Sequence, residues 1–278
     1  MSTLTVAQAL AEARALGVDR LDTQLLLARA LGRTRTWLAA HDDATLGDEQ
    51  TAALRADLLR RGQGEPLAYL LGEKGFHGLL LHVNPHVLVP RPETELLVDW
   101  GLELLGGALA HTARASLLDL GTGSGAIALA LKHALPAVRV SASDISPQAL
   151  AVARANARRL GLAIEFHQSD WWGGLGGQRF HLVLSNPPYI EPNDPHLPAL
   201  KHEPRMALTP EGSGLRALEA IVCGASAHLE PGGWLLLEHG HDQAAEVQAL
   251  LNLHGFSLPQ TRHDLAGLPR CTGAQRQA

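Results

Sequence analysis

Residues 117–130, LLDLGTGSGAIALA, decide the fold, because an apolar strand here turns through Gly121, Gly123 and Gly125 straight into an apolar helix. Alternate glycines permit a tight turn and let backbone N–H groups come close to a ligand at a helix N-terminus. Taken alone, the turn is weak evidence, and a flexible loop that merely packs a helix on a strand is the alternative. Its surroundings narrow the reading. The spacing is G-x-G-x-G rather than the G-x-G-x-x-G of dinucleotide sites, and Asp119, two residues before the first glycine, would repel a pyrophosphate. An acid in that place suits a ligand that carries an ammonium group.

The next strand ends in SASD, with Asp144 about twenty residues beyond the glycines, where a carboxylate can accept both hydroxyls of a ribose. A plain helix cap before ISPQAL is the alternative for Asp144. Ribose and ammonium without phosphate describe S-adenosyl-L-methionine, and Gly121, Thr122, Gly123, Ser124 and Gly125 are its expected cradle. At the end of the following strand, SDWWGG places Asp170, Trp171 and Trp172 on the same sheet edge. Trp171 can cover the adenine while its neighbour packs, or can itself sit in the core.

Outward from that stretch, strands alternate with helices of ten to fifteen residues. SLLDLG (116–121) leads to a helix over 124–134, VRVSASD (138–144) to a helix over 147–160, and AIEFHQSD to FHLVLSNPPY. This pattern predicts a mostly parallel sheet with helices on both faces, a Rossmann-like α/β domain over 85–278 that the S-adenosyl-L-methionine reading would make a methyltransferase domain. GGWLLLEHG and a hairpin-like region close the chain, although Pro269 and the polar run-out leave the pairing of the tail open. Before the sheet, residues 1–72 carry helical periodicity through Val6, Leu10, Ala13 and Leu16, then Leu21, Leu25 and Leu26, then Leu54, Leu58 and Leu59. Glycines 17, 32, 62 and 72 read as helix stops, which predicts a small all-helical N-terminal domain. Residues 73–84 read as a β-hairpin linker.

Composition bounds the function. The 278 residues carry a formal charge of −5 with 46% hydrophobic residues, an ordinary globular balance without the basic excess of a nucleic-acid binder. Basic and acidic residues nearly balance within 1–72 as well. Twenty arginines against three lysines reflect compositional bias. Cys223 and Cys271 lack metal-like spacing, and His239 and His241 have no partners at ligand spacing, so no metal site is expected. No apolar run is long enough to span a membrane, no export segment is visible at the N-terminus, and a cytoplasmic location is expected.

SNPPYI (185–190) ends a strand with an asparagine before two prolines. Proline cannot donate to a ladder, so Asn186, Pro187, Pro188 and Tyr189 stand on a stiff corner at the carboxyl end of a strand, where open α/β sheets bind ligands. Amide and aromatic amine nitrogens are poor nucleophiles because their lone pairs are delocalised. Two acceptors, Asn186 Oδ1 and the Pro187 carbonyl, can hold such a nitrogen in line with a methyl donor, with Tyr189 stacked on the planar group.

DLGTGSG followed by SNPPY resembles the amino methyltransferases. Together with VLVPRPETE (87–95), SDW (169–171), EPRMAL (203–208) and LLLEHG (235–240) behind a helical domain, the chain resembles the peptide chain release factor glutamine N5-methyltransferases over nearly its whole length. The resemblance implies methylation of the glutamine in the Gly-Gly-Gln motif of class-I release factors. It implies S-adenosyl-L-methionine on the glycine loop, Asp144 and Trp171, and Asn186 in contact with both cofactor and substrate. It also implies RPETE over the methionine end of the cofactor, for which a helix start with Pro92 in its first turn is an equally good account. The helical domain is then the second surface for the release factor, and a monomer without stable nucleic-acid binding is expected. An adenine N6-methyltransferase, whose acceptor is a similar planar amine, is the competing reading; a catalytically silent scaffold is a third. The chain's own GGQ at 176–178 reads as a coincidental loop.

Overall fold

The computed structural model describes residues 4–110, 112 and 115–277; Met1 to Thr3 and Ala278, which the sequence reading placed at the ends of the two domains, lie outside them. The chain separates into two compact units, Met1–Glu73 and Lys74–Ala278.

Among the described residues the first unit holds five helices, α1 (Val6–Ala15), α2 (Arg20–Leu31), α3 (Arg35–Ala40), α4 (Asp48–Gly62) and α5 (Leu67–Leu71). Small polar residues start three of them. Thr5, Asp19 and Thr34 each accept an N–H of the first turn, and Thr5 and Gln8 form a reciprocal capping box. The buried set is Val6, Ala9, Ala13, Leu26, Leu27, Leu54 and Leu58, whereas Leu16, Leu21 and Leu59 are exposed. The expected apolar faces are therefore shifted by a residue at three places. Gly62 is also the last helical residue of α4 and not its stop; left-handed backbone follows at Gly64, with φ 94°.

A two-stranded hairpin follows, β1 (Glu73–Phe76) and β2 (Leu79–His82), turning through His77 and Gly78 at φ 45° and 75°. Phe76, Leu79 and Leu81 are buried in one cluster with Leu97, Trp100 and Leu129. Residues 73–84 are thus more than the linker expected, because the alternation in β2 gives the hairpin an apolar face. Buried Asn156 fastens it further: Oδ1 accepts from His82 N at 2.7 Å, while Nδ2 donates to His82 O at 2.9 Å and Ser124 O at 3.0 Å.

A 3₁₀ turn at Pro92–Thr94 opens α6 (Glu95–Gly106). The remaining strands are β3 (Ser116–Leu120), β4 (Arg139–Asp144), β5 (Glu165–Gln168), β6 (Phe180–Ser185), β7 (Leu229–Glu238), β8 (Phe256–His263) and β9 (Pro269–Arg276). The helices between them are α7 (Ala126–Ala134), α8 (Pro147–Leu160), α9 (Arg216–His228) and α10 (Ala244–Leu253). They form one sheet in the order β5-β4-β3-β6-β7-β9-β8, parallel from β5 to β7, with β9 antiparallel to both neighbours. Alternation sorts the core. Leu117, Leu182, Leu184 and Leu236 meet α6 and α7 on one face; Leu118, Leu120, Val183, Leu235 and Leu237 meet α9 and α10 on the other.

The tail whose pairing the sequence left open forms β9, an interior strand. Pro269 is tolerated because it is the first residue of the strand. The small residues Cys271, Thr272, Gly273 and Ala274 are all buried and let β9 pass beneath bulky neighbours. A Cβ on Gly273 would lie 2.4 Å from Leu236 Cδ2 and 2.7 Å from Trp100 Cη2. Arg262 closes this side by stacking over Trp100 at 4.4 Å from the ring centroid. Among the described residues no helix is long and apolar enough to cross a membrane.

Gly273→Ala should destabilise the chain by roughly 1–3 kcal/mol through overpacking. Urea unfolding checks this, and an unchanged midpoint would contradict the account of β9.

Candidate active site

The strand order reverses between β3 and β6, so their carboxyl ends diverge above a crevice. Register puts Asp119 beside Leu184, and the Ser185 hydroxyl donates to Leu120 O at 2.6 Å, which locks the glycine turn beside the Asn-Pro-Pro corner. A cleft of about 840 Å³ opens there. Leu120 to Ser124, Ser143 to Ser146, Ser169 to Trp171, and Asn186 to Pro188 line it, with Val87, Arg91, Thr94 and the segment around Met206 at its rim.

Gly121, Gly123 and Gly125 all have positive φ, at 78°, 55° and 86°, where a side chain would be strained. Gly121 N and Thr122 N both donate to Ser143 O, at 2.9 and 2.8 Å, so the turn is stitched to β4. Asp144 stands at that seam. Its Oδ2 accepts from Gly123 N at 2.8 Å and its Oδ1 from Ser146 N at 2.9 Å, while Ser146 itself caps α8. Two accepted bonds leave lone pairs on both oxygens for further donors in the cleft. Burial, the largest cause, raises the Asp144 carboxyl above its ordinary value.

Trp171, at φ 46°, belongs to both descriptions the sequence allowed. It packs on the buried cluster and also lines the cleft, where its ring would stand 3.6 Å from a Cβ on Gly121. Trp172 faces away, stacks on His228 with ring centroids 4.8 Å apart, and donates to Ile221 O at 3.1 Å.

Two expected site residues are placed differently. Asp119 is fully buried and does not line the cleft, so it is not set to meet a ligand ammonium. It shares the inner face of β3 with Leu117, beneath α7. From there Oδ2 accepts from Thr122 Oγ1 at 2.6 Å and from Ala128 N at 3.1 Å, which makes it a splint for the glycine turn. Tyr189 is likewise absent from the cleft wall. Its ring packs in the cluster beneath α9 and its hydroxyl donates to Glu238 Oε1 at 3.2 Å, so the expected stacking on a planar substrate is replaced by an inward strut.

Asn186, Pro187 and Pro188 do line the cleft. Asn186 Nδ2 donates to Thr94 Oγ1 at 3.0 Å, which leaves Oδ1 to accept from a ligand. Thr94 lies in RPETE. Of that segment, Arg91 and Thr94 border the cleft; Glu93 and Glu95 do not, and Glu95 Oε1 instead accepts from His77 N at 2.8 Å. Buried Glu203 holds the incoming strap, accepting from Val89 N at 3.1 Å and pairing with Arg91. Thr94, Asn156, Glu203 and Glu238 had no assigned role in the sequence. Thr94, Glu203 and Glu238 sit inside the quoted RPETE, EPRMAL and LLLEHG stretches, but only distant backbone and side-chain partners give them meaning. Among the described residues no cluster of three or more His, Cys, Asp or Glu could hold a metal ion. The GGQ at 176–178 is not part of the cleft wall.

Burial raises the Asp119 carboxyl from 3.8 to about 6, against the hydrogen bonds from Thr122 and Ala128 that lower it. A carboxyl with a raised folded value contributes stability below its unfolded value and loses it as pH climbs through the folded one. The unfolding free energy of the wild type relative to Asp119→Asn should therefore fall between pH 3.8 and 6, by on the order of 3 kcal/mol. A pH-independent difference in urea titrations would contradict this.

Residues 95–253 match the family described as Methyltransferase small domain, and residues 4–72 match the PrmC N-terminal domain. A release factor glutamine methyltransferase of Burkholderia pseudomallei is 48% identical over 271 residues, covering 94% of each chain. One of Bordetella pertussis is 46% identical, covering 92% of this chain and 95% of its own. Among solved structures, the T. thermophilus 16S rRNA N2 G1207 methyltransferase, in complex with AdoMet and guanosine, aligns with a TM-score of 0.55. Its identity is 21%, over 74% of this chain and 50% of that one. A methyltransferase from Pyrococcus furiosus aligns at 0.51 and 17% identity, over 84% of this chain and 100% of that one. At such identities the likeness is one of fold, but the relatives that match nearly end to end go further: the chain belongs to the release factor glutamine methyltransferase family.

Proposed function

We propose that the chain transfers a methyl group from S-adenosyl-L-methionine to the side-chain amide nitrogen, N5, of the glutamine in the Gly-Gly-Gln motif of class-I peptide chain release factors. The observation that carries this reading is Asn186. Its amide nitrogen is engaged by Thr94, so its oxygen is the acceptor presented at the cleft beside the glycine turn.

The residues of the cleft fit the cofactor. The glycine turn offers a close backbone approach, Asp144 offers acceptor oxygens to a ribose, and Trp171 offers an aromatic wall beside Gly121. The Asp144 carboxylate accepts from Gly123 N at the turn, and an acid there is unsuited to phosphate, which favours a ligand of this kind over a dinucleotide. When bound, the cofactor supplies a methyl group on a sulfonium centre. All else is positioning by the chain. Asn186 Oδ1 and the Pro187 carbonyl each accept one N–H of the incoming amide, turning its nitrogen lone pair towards the methyl group. Both acceptors also stabilise positive charge as it grows on that nitrogen. No strong base is required, because the N–H proton becomes acidic as the nitrogen gains a fourth bond. Pro187 and Pro188 keep the corner stiff. The helical unit over residues 1–72 supplies a second surface for the release factor. A cytoplasmic monomer without stable nucleic-acid binding accords with the acidic balance of the chain.

Incubation with S-adenosyl-L-methionine and a release factor should add one methyl group to the Gly-Gly-Gln glutamine by mass spectrometry, and none when that glutamine is alanine. Methyl on adenine in DNA or RNA with the release factor untouched would overturn the substrate. Asn186→Ala should lower kcat by roughly 10²–10³-fold while leaving thermal unfolding unchanged; wild-type turnover would refute its role.

A further inference from the structure

Three segments that carry no α-helix or strand border the cleft: the strap over 83–94, the corner over 186–190 and a rim over 203–211. All three belong to the second unit. Each is hydrogen-bonded to the other two. Between corner and strap, Asn186 Nδ2 donates to Thr94 Oγ1 at 3.0 Å. Between corner and rim, Ile190 N donates to Leu208 O at 3.0 Å. Between rim and strap stands Glu203, whose Oε2 accepts from Val89 N at 3.1 Å and whose Oε1 pairs with the Arg91 guanidinium. These links close a ring, in which the proline corner is gripped at both ends by segments that Glu203 ties to each other.

We propose that Glu203 is a positioning residue which closes this ring and thereby fixes the Asn186 to Tyr189 corner relative to the glycine turn. The proposal rests on the reading that this corner holds the acceptor amide. Glu203 does not line the cleft, so it acts through the strap and the rim. Its side chain is 2% exposed while that of Arg91 is 34% exposed, so the carboxylate is the buried half of the pair. A buried carboxylate costs stability unless donors satisfy it. Here each oxygen takes one donor, and both donors come from the strap rather than from the rim that carries Glu203. A glutamine offers a single acceptor oxygen and turns its own N–H groups towards the remaining strap donor, so it cannot hold both.

Apolar contacts seat the same segments, since Val87, Val89 and Leu208 are buried. Such contacts are not directional and do not set how far two walls of a cleft stand apart. Hydrogen bonds do, because their distance and angle are narrow. Without Glu203 the strap carries Thr94, and the rim carries Leu208, as two independent supports of one corner. A reacting nitrogen displaced by about 1 Å loses on the order of 10²-fold in rate. The glycine turn, by contrast, is stitched to β4 through Ser143 O and Asp144, with no bond to the ring. Opening the ring should therefore reach the transfer step and spare the hold on the cofactor.

Two measurements test this. The first needs no turnover. In Glu203→Gln the Ile190 amide should exchange its hydrogen roughly tenfold faster than in the wild type, although its own partner, Leu208 O, is untouched, while the Gly121 and Thr122 amides keep their rates. An unchanged Ile190 rate would overturn the ring. Should Glu203→Gln fail to fold, Arg91→Gln opens the same link from its exposed side, and the same acceleration at Ile190 is required of it. The second is kinetics with the release factor as acceptor. Glu203→Gln should lower kcat by roughly 10–100-fold with cofactor Kd within about threefold, and combined with Thr94→Val its loss should be smaller than the product of the two single losses. A wild-type kcat, a Kd change as large as the kcat change, or losses that simply multiply would each overturn the proposal. If exchange at Ile190 responds as expected while no methyl reaches the release factor, the substrate assignment has failed and the ring has not.

Discussion

The parallel pairing of β3 with β6 is the constraint on which the rest of this structure depends. These strands are not consecutive in the chain, yet Leu117, Leu118 and Asp119 lie opposite Leu182, Val183 and Leu184. Their ends then turn to opposite sides, one into the glycine turn and the other into the proline corner. One buried bond, Ser185 Oγ to Leu120 O, joins the two ends at 2.6 Å. Everything that can grip a ligand, from Asp144 to Asn186, is arrayed around that junction. The apolar layers on both faces of the sheet keep it rigid.

Around this junction the chain buries three carboxylates, each fully or nearly so: Asp119, Glu203 and Glu238. Burying a charge is expensive unless it is paired or hydrogen-bonded. Each one binds to a segment that would otherwise hang as a loop. Asp119 holds the glycine turn and the start of α7, Glu203 holds the strap through Val89 and Arg91, and Glu238 holds Tyr189. Ligand-gripping loops are usually the least stable parts of a fold. Here their geometry is imposed from beneath by groups that never face the ligand.

The sheet and the helix order were legible because the period changes are strong. Short strands alternate with helices whose caps are visible, such as Ser146 with Pro147. The glycine turn and the corner were legible because Gly and Pro impose backbone conformations locally. Less legible were the faces of the short N-terminal helices, where Leu59 and Leu21 look like core and are exposed. In a small bundle the crossing of neighbouring helices, rather than the period of any one, chooses which apolar residue is covered. The tail read as an uncertain end, yet it is an interior strand, because its small residues are matched to Trp100 and Leu236 from far along the chain.

By itself the sequence determined the α/β order, the positive-φ turn at Gly121 to Gly125, the stiff exit at Asn186 to Pro188, and the presence of Asp144 and Trp171 at strand ends. These follow from period and backbone stereochemistry, which act over a few residues. Only the tertiary structure decided which of the marked side chains face the cleft. Asp119 and Tyr189 carry the right chemistry in the right motifs, but strand parity sends Asp119 inward and Tyr189 packs beneath α9. It also decided that Thr94 and Asn186, 92 residues apart in the chain, meet at the cleft. A hydrogen bond needs donor and acceptor about 3 Å apart. No local pattern can specify such a distance across so long a separation; packing of the whole domain sets it.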